Sequence, residues 1–268
     1  MRQYAYDRFL TRVFTGPDAD RWVLKGATAL LVRLGGDARH TVDIDLLRSI
    51  GDLDDADRAV RQAVARDAGD HFRFALGPGR RMAEASVALR VPVQAYLGAT
   101  VFARFNLDLV AELEVTGEPE VAGPLLPVEI PGIVQAEYRI YPLADHVADK
   151  VMALLQRHDR RGALTIDSTR YRDLADLVVI AHRSKVNAAA LHGVLGRQAA
   201  RRGMELPTHL RPPQTRAWEI GYARTVRDLP GMVERDLASA AATANRFIDP
   251  VLQGSARGGW DPEVQAWT

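Results

Sequence analysis

The rhythm of apolar and polar positions changes near residue 142. Upstream, short alternating or continuous apolar runs dominate; downstream, apolar residues recur three and four apart. Residues 21–25 (RWVLK) read as a strand, and TALLVRL after them as a helix that Gly35 and Gly36 stop. Residues 41–47 (TVDIDLL) alternate with the period of a strand. Val42, Ile44 and Leu46 are therefore expected in the core, with Asp43 and Asp45 on the opposite face. Residues 54–68 space Ala and Val helically. HFRFAL, SVALRVPVQAY and TVFARFNLDLV read as three strands, the last two joined as a hairpin through Leu97, Gly98 and Ala99. Pro92 predicts an edge position or a bulge in its strand. Residues 115–132, rich in proline and glutamate, read as irregular and exposed, with at most one short strand.

Beyond Pro142 the pattern is almost wholly helical. Residues 143–157 carry an apolar stripe at 143, 147, 151, 154 and 155. Further helices are expected over 171–182, over 187–202 with Asn187 as cap, from Pro212 and Pro213 to 227, and over 232–247. No internal repeat is visible. The division predicted is an α/β core over 1–141, a helical domain over 142–252 and a loose tail over 253–268, where a Gly-Ser-Ala-Arg-Gly-Gly run falls.

Composition narrows the chemistry. Of 268 residues, 47% are hydrophobic and 26% charged, which describes a folded chain rather than a disordered one. There is no cysteine, so disulfides, thiolate nucleophiles and Cys-based zinc sites are excluded. No apolar run approaches the roughly 20 residues that span a bilayer. The first residues (MRQYAYDRFL) lack the apolar centre of a signal peptide, and a cytoplasmic location is expected. Net charge is only +1, yet between Leu195 and Arg227 seven arginines (197, 201, 202, 211, 216, 224, 227) face two glutamates. A second group comprises Arg157, Arg160, Arg161, Arg170 and Arg172. Such clusters serve either as solvated helix faces or as a surface for RNA or phosphate.

Asp43 and Asp45 carry the sharpest chemical signal. Residues two apart on a strand share a face, and adjacent carboxylates repel unless positive charge lies between them. A hard divalent cation with oxygen ligands supplies that charge. Asp108, in the strand-like FARFNLDLV, is a third candidate. If its strand neighbours the first, three carboxylates converge as in sites holding two metal ions roughly 4 Å apart. The plainer alternative is the polar face of a half-buried sheet. The turn Lys25-Gly26-Ala27-Thr28 joins strand to helix, where free N–H groups suit a phosphate, although an ordinary strand–helix turn has the same look. His40, His146 and His158 show no metal spacing and are read as incidental.

Taken together, VLKGATALLVRLGGDARHTVDIDLL resembles the first motif of the AbiEii/MenT toxin nucleotidyltransferases, within the polymerase-β-like superfamily. That family pattern runs L-K-G-G-T-A-L, a gap, then R-x-[ST]-x-D-[IV]-D-[LF]; Ala27 stands where a second glycine is usual. Further matches are Asp149-Lys150 ahead of VMALLQRHDRRG and the run Tyr171-Arg172-Asp173-Leu174-Ala175-Asp176-Leu177. The likeness spans residues 23 to about 180.

The resemblance implies an α+β fold: a polymerase-β-like core with a mixed sheet, followed by a mainly helical domain. It also implies transfer of a nucleoside monophosphate from an NTP to an acceptor hydroxyl, with release of pyrophosphate. Asp43, Asp45 and Asp108 would ligate magnesium, two ions in all. Lys25, Gly26, Ala27 and Thr28 would hold phosphate, and Arg39 and Thr41 would contact the triphosphate or brace the strand. Lys150 would neutralise developing charge, with Asp173 or Asp176 orienting it. By the same resemblance the acceptor is RNA, at the tRNA 3′ end, the outcome is a block of translation, and the partner is a cognate antitoxin; no membrane is involved. The competing functions are modification of a small molecule such as an antibiotic, or of a protein hydroxyl, and a non-catalytic binding module that keeps the fold.

Overall fold

The computed structural model describes residues 2–82, 85–111, 113, 115–128, 130–156, 158–160, 164–166, 170–229 and 231–268. The chain forms two compact units, residues 1–35 with 40–142, and residues 36–39 with 143–268.

The first unit is built on one mixed sheet. In chain order its elements are α1 (Arg2–Phe14), β1 (Trp22–Lys25), α2 (Gly26–Leu34), β2 (Asp43–Arg48), α3 (Leu53–Val64), β3 (Phe72–Leu76), β4 (Arg80–Met82), β5 (Ala85–Leu97), β6 (Thr100–Val110), β7 (Glu120–Ala122) and β8 (Tyr138–Ile140). The strand order is β3-β5-β6-β2-β1-β8-β7, with β4 also paired to β5. β2 runs parallel to β6 and β1 parallel to β8; the other pairs are antiparallel. Alternation along the strands sends Leu24, Ile44, Leu46, Val91, Leu107 and Leu109 into the main core, where they meet α1 and α3. The opposite face is apolar at one end, where Val23, Leu47 and Tyr141 cluster. At its other end lie Asp43, Asp45, Asn106 and Asp108, two-residue steps along the same strands.

Three features of the first unit depart from the sequence pattern. Val42 does not join the core: β2 begins one residue later, and Val42 is half exposed. Pro92 lies neither on an edge strand nor at the bulge, since β5 is interior and its register shift falls between Ala95 and Tyr96. The proline is tolerated because it faces the break between β3 and β4. Its carbonyl accepts from the Gly77 N–H at 2.9 Å, and its own nitrogen points to that same side, where no strand needs a donor. The third is α1, a helix absent from the sequence reading. Asp7, Arg8, Thr11 and Arg12 are buried on it: Arg12 forks onto Asp70 at 2.8 and 2.6 Å, Arg8 donates to Asp7 and Thr11, and Tyr138 donates to Asp7 at 2.5 Å.

The second unit contains α4 (Leu143–Leu155), β9 (His158–Arg160), β10 (Leu164–Ile166), α5 (Tyr171–Arg183), β11 (Val186–Asn187), α6 (Ala188–Arg201), α7 (Arg216–Val226), α8 (Leu237–Leu252), β12 (Gly259–Asp261) and β13 (Ala266–Trp267). Asn187 caps α6 by accepting from the Ala190 N–H at 2.9 Å. The last helix starts later than its alanine-rich pattern suggests, because Asp236 caps it through the Ser239 N–H. The tail is not loose. β12 pairs with β11 and β13, and Trp260 is buried against Phe247 and Trp267. The glycines that suggested looseness form the turn: Gly258 has φ +57°, and a Cβ there would collide with the Thr268 carbonyl oxygen. No helix among the described residues is long and apolar enough to cross a membrane.

Candidate active site

In the first unit, register assembles one row across four strands. Arg90 of β5 stands opposite Asp108 of β6, Asp108 opposite Asp45 of β2, and Asp45 opposite Lys25 of β1. Directly opposed residues share a face and lie within side-chain reach. The row therefore alternates as cation, carboxylate, carboxylate, cation. Asn106 and Asp43 form the neighbouring row on the same face, and the Asn106 amide donates to Asp43 Oδ1 at 2.9 Å.

Asp45 is fixed by the turn beside it. Gly26 opens α2 with φ +61°, and a Cβ built on it would lie 1.9 Å from Asp45 Oδ2. Only glycine gives both the left-handed backbone and the clearance. The carboxylate thus sits at the first residue of a helix, where the peptide dipoles favour negative charge. The clearance on the Cβ side of Gly26 is taken up by this carboxylate. Lys25 is buried with its ammonium 4.0 Å from the centre of the Tyr141 ring.

Thr28 and Thr41 both serve the backbone of Asp43. The Thr28 hydroxyl, fully buried, donates to the Asp43 carbonyl at 2.9 Å, so it neither caps α2 nor stands free for phosphate. Thr41 Oγ1 accepts from the Asp43 N–H at 3.2 Å, bracing the start of the strand. Ala27 is buried in the first turn of α2.

The pairing of β2 with β6 brings Asp108 to the face of Asp43 and Asp45, as expected, and Asp108 also pairs with Arg90. Arg90 Nε and Nη2 donate to its two oxygens at 2.7 and 2.6 Å. The hydrogen bond to Asp108 pushes the Arg90 pKa above its ordinary value, and Asp43 and Asp45 add to the rise. Among the described residues no group of three or more His, Asp or Glu is arranged to hold a metal ion. Asp43 and Asp45, hard oxygen donors on one strand face, fit one divalent cation.

The second unit holds a separate cluster. Lys150 of α4 donates to Asp176 at 2.6 Å and to Asp173 at 3.3 Å, both on α5. Arg39 forks onto the same Asp176 at 2.9 and 3.1 Å. Two cations and two carboxylates balance. Burial alone would lower the Lys150 ammonium, but Asp176 and Asp173 outweigh it and the net shift is upward. Burial likewise opposes ionisation of Asp176, and Lys150 and Arg39 reverse it, holding the carboxyl below its ordinary range. Arg39 is thus a partner of Asp176.

The seven arginines between positions 197 and 227 are all exposed. In the second basic group, Arg157 and Arg161 lie outside the described residues, and so does the side chain of Arg160. His146 is buried on α4; the His158 side chain lies outside the described residues. Sequence reasoning missed Arg90 and Asn106.

The chain is a nucleotidyltransferase, as its family match shows. The model of the family described as "Nucleotidyl transferase AbiEii toxin, Type IV TA system" matches residues 8–247, and the chain belongs to that family of toxin–antitoxin nucleotidyltransferases. A nucleotide substrate and a cognate antitoxin follow from membership. MenT4, a nucleotidyltransferase toxin of Mycobacterium tuberculosis, has a similar fold, with TM-score 0.51 at 18% identity over 96% of this chain and 92% of that one. JHP933 from Helicobacter pylori aligns with TM-score 0.47 at 17% identity over 94% of this chain and 91% of that one. None of the curated proteins matches the chain.

Proposed function

We propose that this toxin transfers a nucleoside monophosphate from an NTP to an RNA hydroxyl, the tRNA 3′ end, and so blocks translation. The observation that carries the reading is the Asp43–Asp45 pair on one strand face, with Asp45 set against the Gly26 turn. In the reaction the acceptor oxygen bonds to the α-phosphorus, the bond to the bridging oxygen breaks, and pyrophosphate leaves; the hydroxyl proton passes to solvent. Asp43 and Asp45 would hold magnesium, which when bound supplies Lewis-acid charge for the triphosphate. The main chain at Gly26 and Ala27 would meet phosphate, with Lys25 alongside. Thr28 and Thr41 hold the Asp43 backbone in place.

The catalytic assignment of Lys150, Asp173 and Asp176 rests on the motif and on their mutual contacts. Lys150 is held by two carboxylates, and Asp176, shared with Arg39, is the more firmly placed of the pair. Support for an RNA acceptor comes from the exposed arginines between 197 and 227, since phosphate contacts by arginine drive RNA affinity.

The test is incubation of purified protein with total tRNA, magnesium and each α-labelled NTP in turn. Label at the tRNA 3′ end, with loss of aminoacylation, supports the reading. Label on a protein or on an aminoglycoside-type hydroxyl instead, with none on RNA, would move the acceptor to the competing class.

A further inference from the structure

The Arg90–Asp108 pair has no part in the transfer as described, yet it is built into the same row of the sheet. The guanidinium forks onto both carboxylate oxygens at 2.7 and 2.6 Å. Such bidentate, charge-assisted pairs are short and fix orientation. The Asp108 side chain is 11% exposed and that of Arg90 43%, so the carboxylate is enclosed while the guanidinium keeps an open side. The fork takes one lone pair on each Asp108 oxygen and neutralises the carboxylate, which weakens its pull on a second cation. Beside Asp43 and Asp45, an Asp108 carboxylate without Arg90 would repel both. Arg90 supplies permanent positive charge there, because a guanidinium keeps its proton at any working pH.

We propose that Arg90 stands in for a second metal ion: the site holds one divalent cation, on Asp43 and Asp45, and Asp108 is a positioning residue that aims Arg90 at the same face. This rests on the assignment of Asp43 and Asp45 as cation ligands. Arg90 is then the fixed half of the positive charge at the site, and the bound ion the exchangeable half.

The experiment is a manganese titration of the full chain followed by electron paramagnetic resonance, on wild type, Asp45→Asn, Asp108→Asn, Arg90→Gln and Arg90→Lys, each checked for folding by circular dichroism. One ion per wild-type chain is expected. Asp45→Asn should weaken binding by roughly tenfold or more, at least as much as loss of a group that merely supports a ligand. Asp108→Asn should leave the count and affinity of that ion unchanged. Arg90→Gln frees Asp108 and should admit a second ion, whereas Arg90→Lys, which keeps the charge, should not. Two ions per wild-type chain, or Asp108→Asn weakening binding as much as Asp45→Asn, would overturn the inference. Failure of wild type to bind manganese, or normal binding by Asp45→Asn, would overturn the ligand assignment beneath it.

Discussion

A Cβ on Gly26 would sit 1.9 Å from the Oδ2 of Asp45, so the first residue of α2 and the second aspartate of β2 are shaped to each other. Gly26→Ala is expected to push Asp45 aside and to strain a left-handed backbone position, destabilising the protein by about 1–2 kcal/mol. Urea unfolding measures the stability loss. Nucleotide transfer should fall far more than stability does, because the displaced group is a proposed cation ligand.

Asp173 and Asp176 separate in the same way. Asp176 bonds both Lys150 and Arg39 and is nearly inaccessible; Asp173 bonds Lys150 at a longer 3.3 Å. Removing one partner of a buried ion pair costs about 3–5 kcal/mol. Asp176→Asn should approach that figure, and Asp173→Asn should cost clearly less. Chemical denaturation of both variants decides it; equal losses would contradict the ranking.

The same pair sets a pH dependence. The Asp176 carboxyl titrates below its ordinary value once folded, because Lys150 and Arg39 outweigh the burial that opposes its charge. Its contribution to stability is therefore full above the ordinary carboxylate range near pH 4 and is lost as pH falls through the lower folded value. Lys150 shifts upward despite burial, so its contribution is full below about pH 10 and is lost as pH rises through the elevated value. Unfolding free energies from pH 7 down to pH 2 should show a shallower acid slope in Asp176→Asn than in wild type.

Trp260 anchors the C-terminal strands. Its Nε1 donates to the Ala181 carbonyl at 2.8 Å, and its ring packs on Phe247 and Trp267. Trp260→Ala should cost about 3–5 kcal/mol, as for other buried aromatics. Calorimetric unfolding checks it; a loss within error would mean the tail is dispensable.

The legible parts of this molecule were those written in local periodicity. Asp43 and Asp45 announce themselves because a period-two run places both on one face. The Gly26 turn shows as the boundary between strand and helix, and Lys150, Asp173 and Asp176 show in motifs. Arg90 could not be found that way. Without a bulge, seven residues back along β5 and seven forward along β6 from the Leu97–Thr100 pair set Arg90 opposite Leu107, and one more sets Leu89 opposite Asp108. The bulge between Ala95 and Tyr96 shifts the ladder by one residue and brings Arg90 to Asp108. Nothing in TVFARFNLDLV marks the extra residue, Phe102, which the pairing passes over between Val101 and Ala103. α1 was hidden for a different reason: Asp7, Arg8 and Arg12 are buried, so its polar positions do not trace a solvent face. Arg39 found its partner in Asp176, 137 residues away, a contact no local pattern carries.

The most direct measurement is transfer of α-labelled nucleotide to tRNA by wild type and by Asp45→Asn, with folding of both confirmed. Asp45→Asn should lose transfer by roughly a thousandfold, the scale of removing a principal electrostatic group from an active site. Transfer by Asp45→Asn at the wild-type rate would contradict the placement of catalysis on the Asp43–Asp45 face.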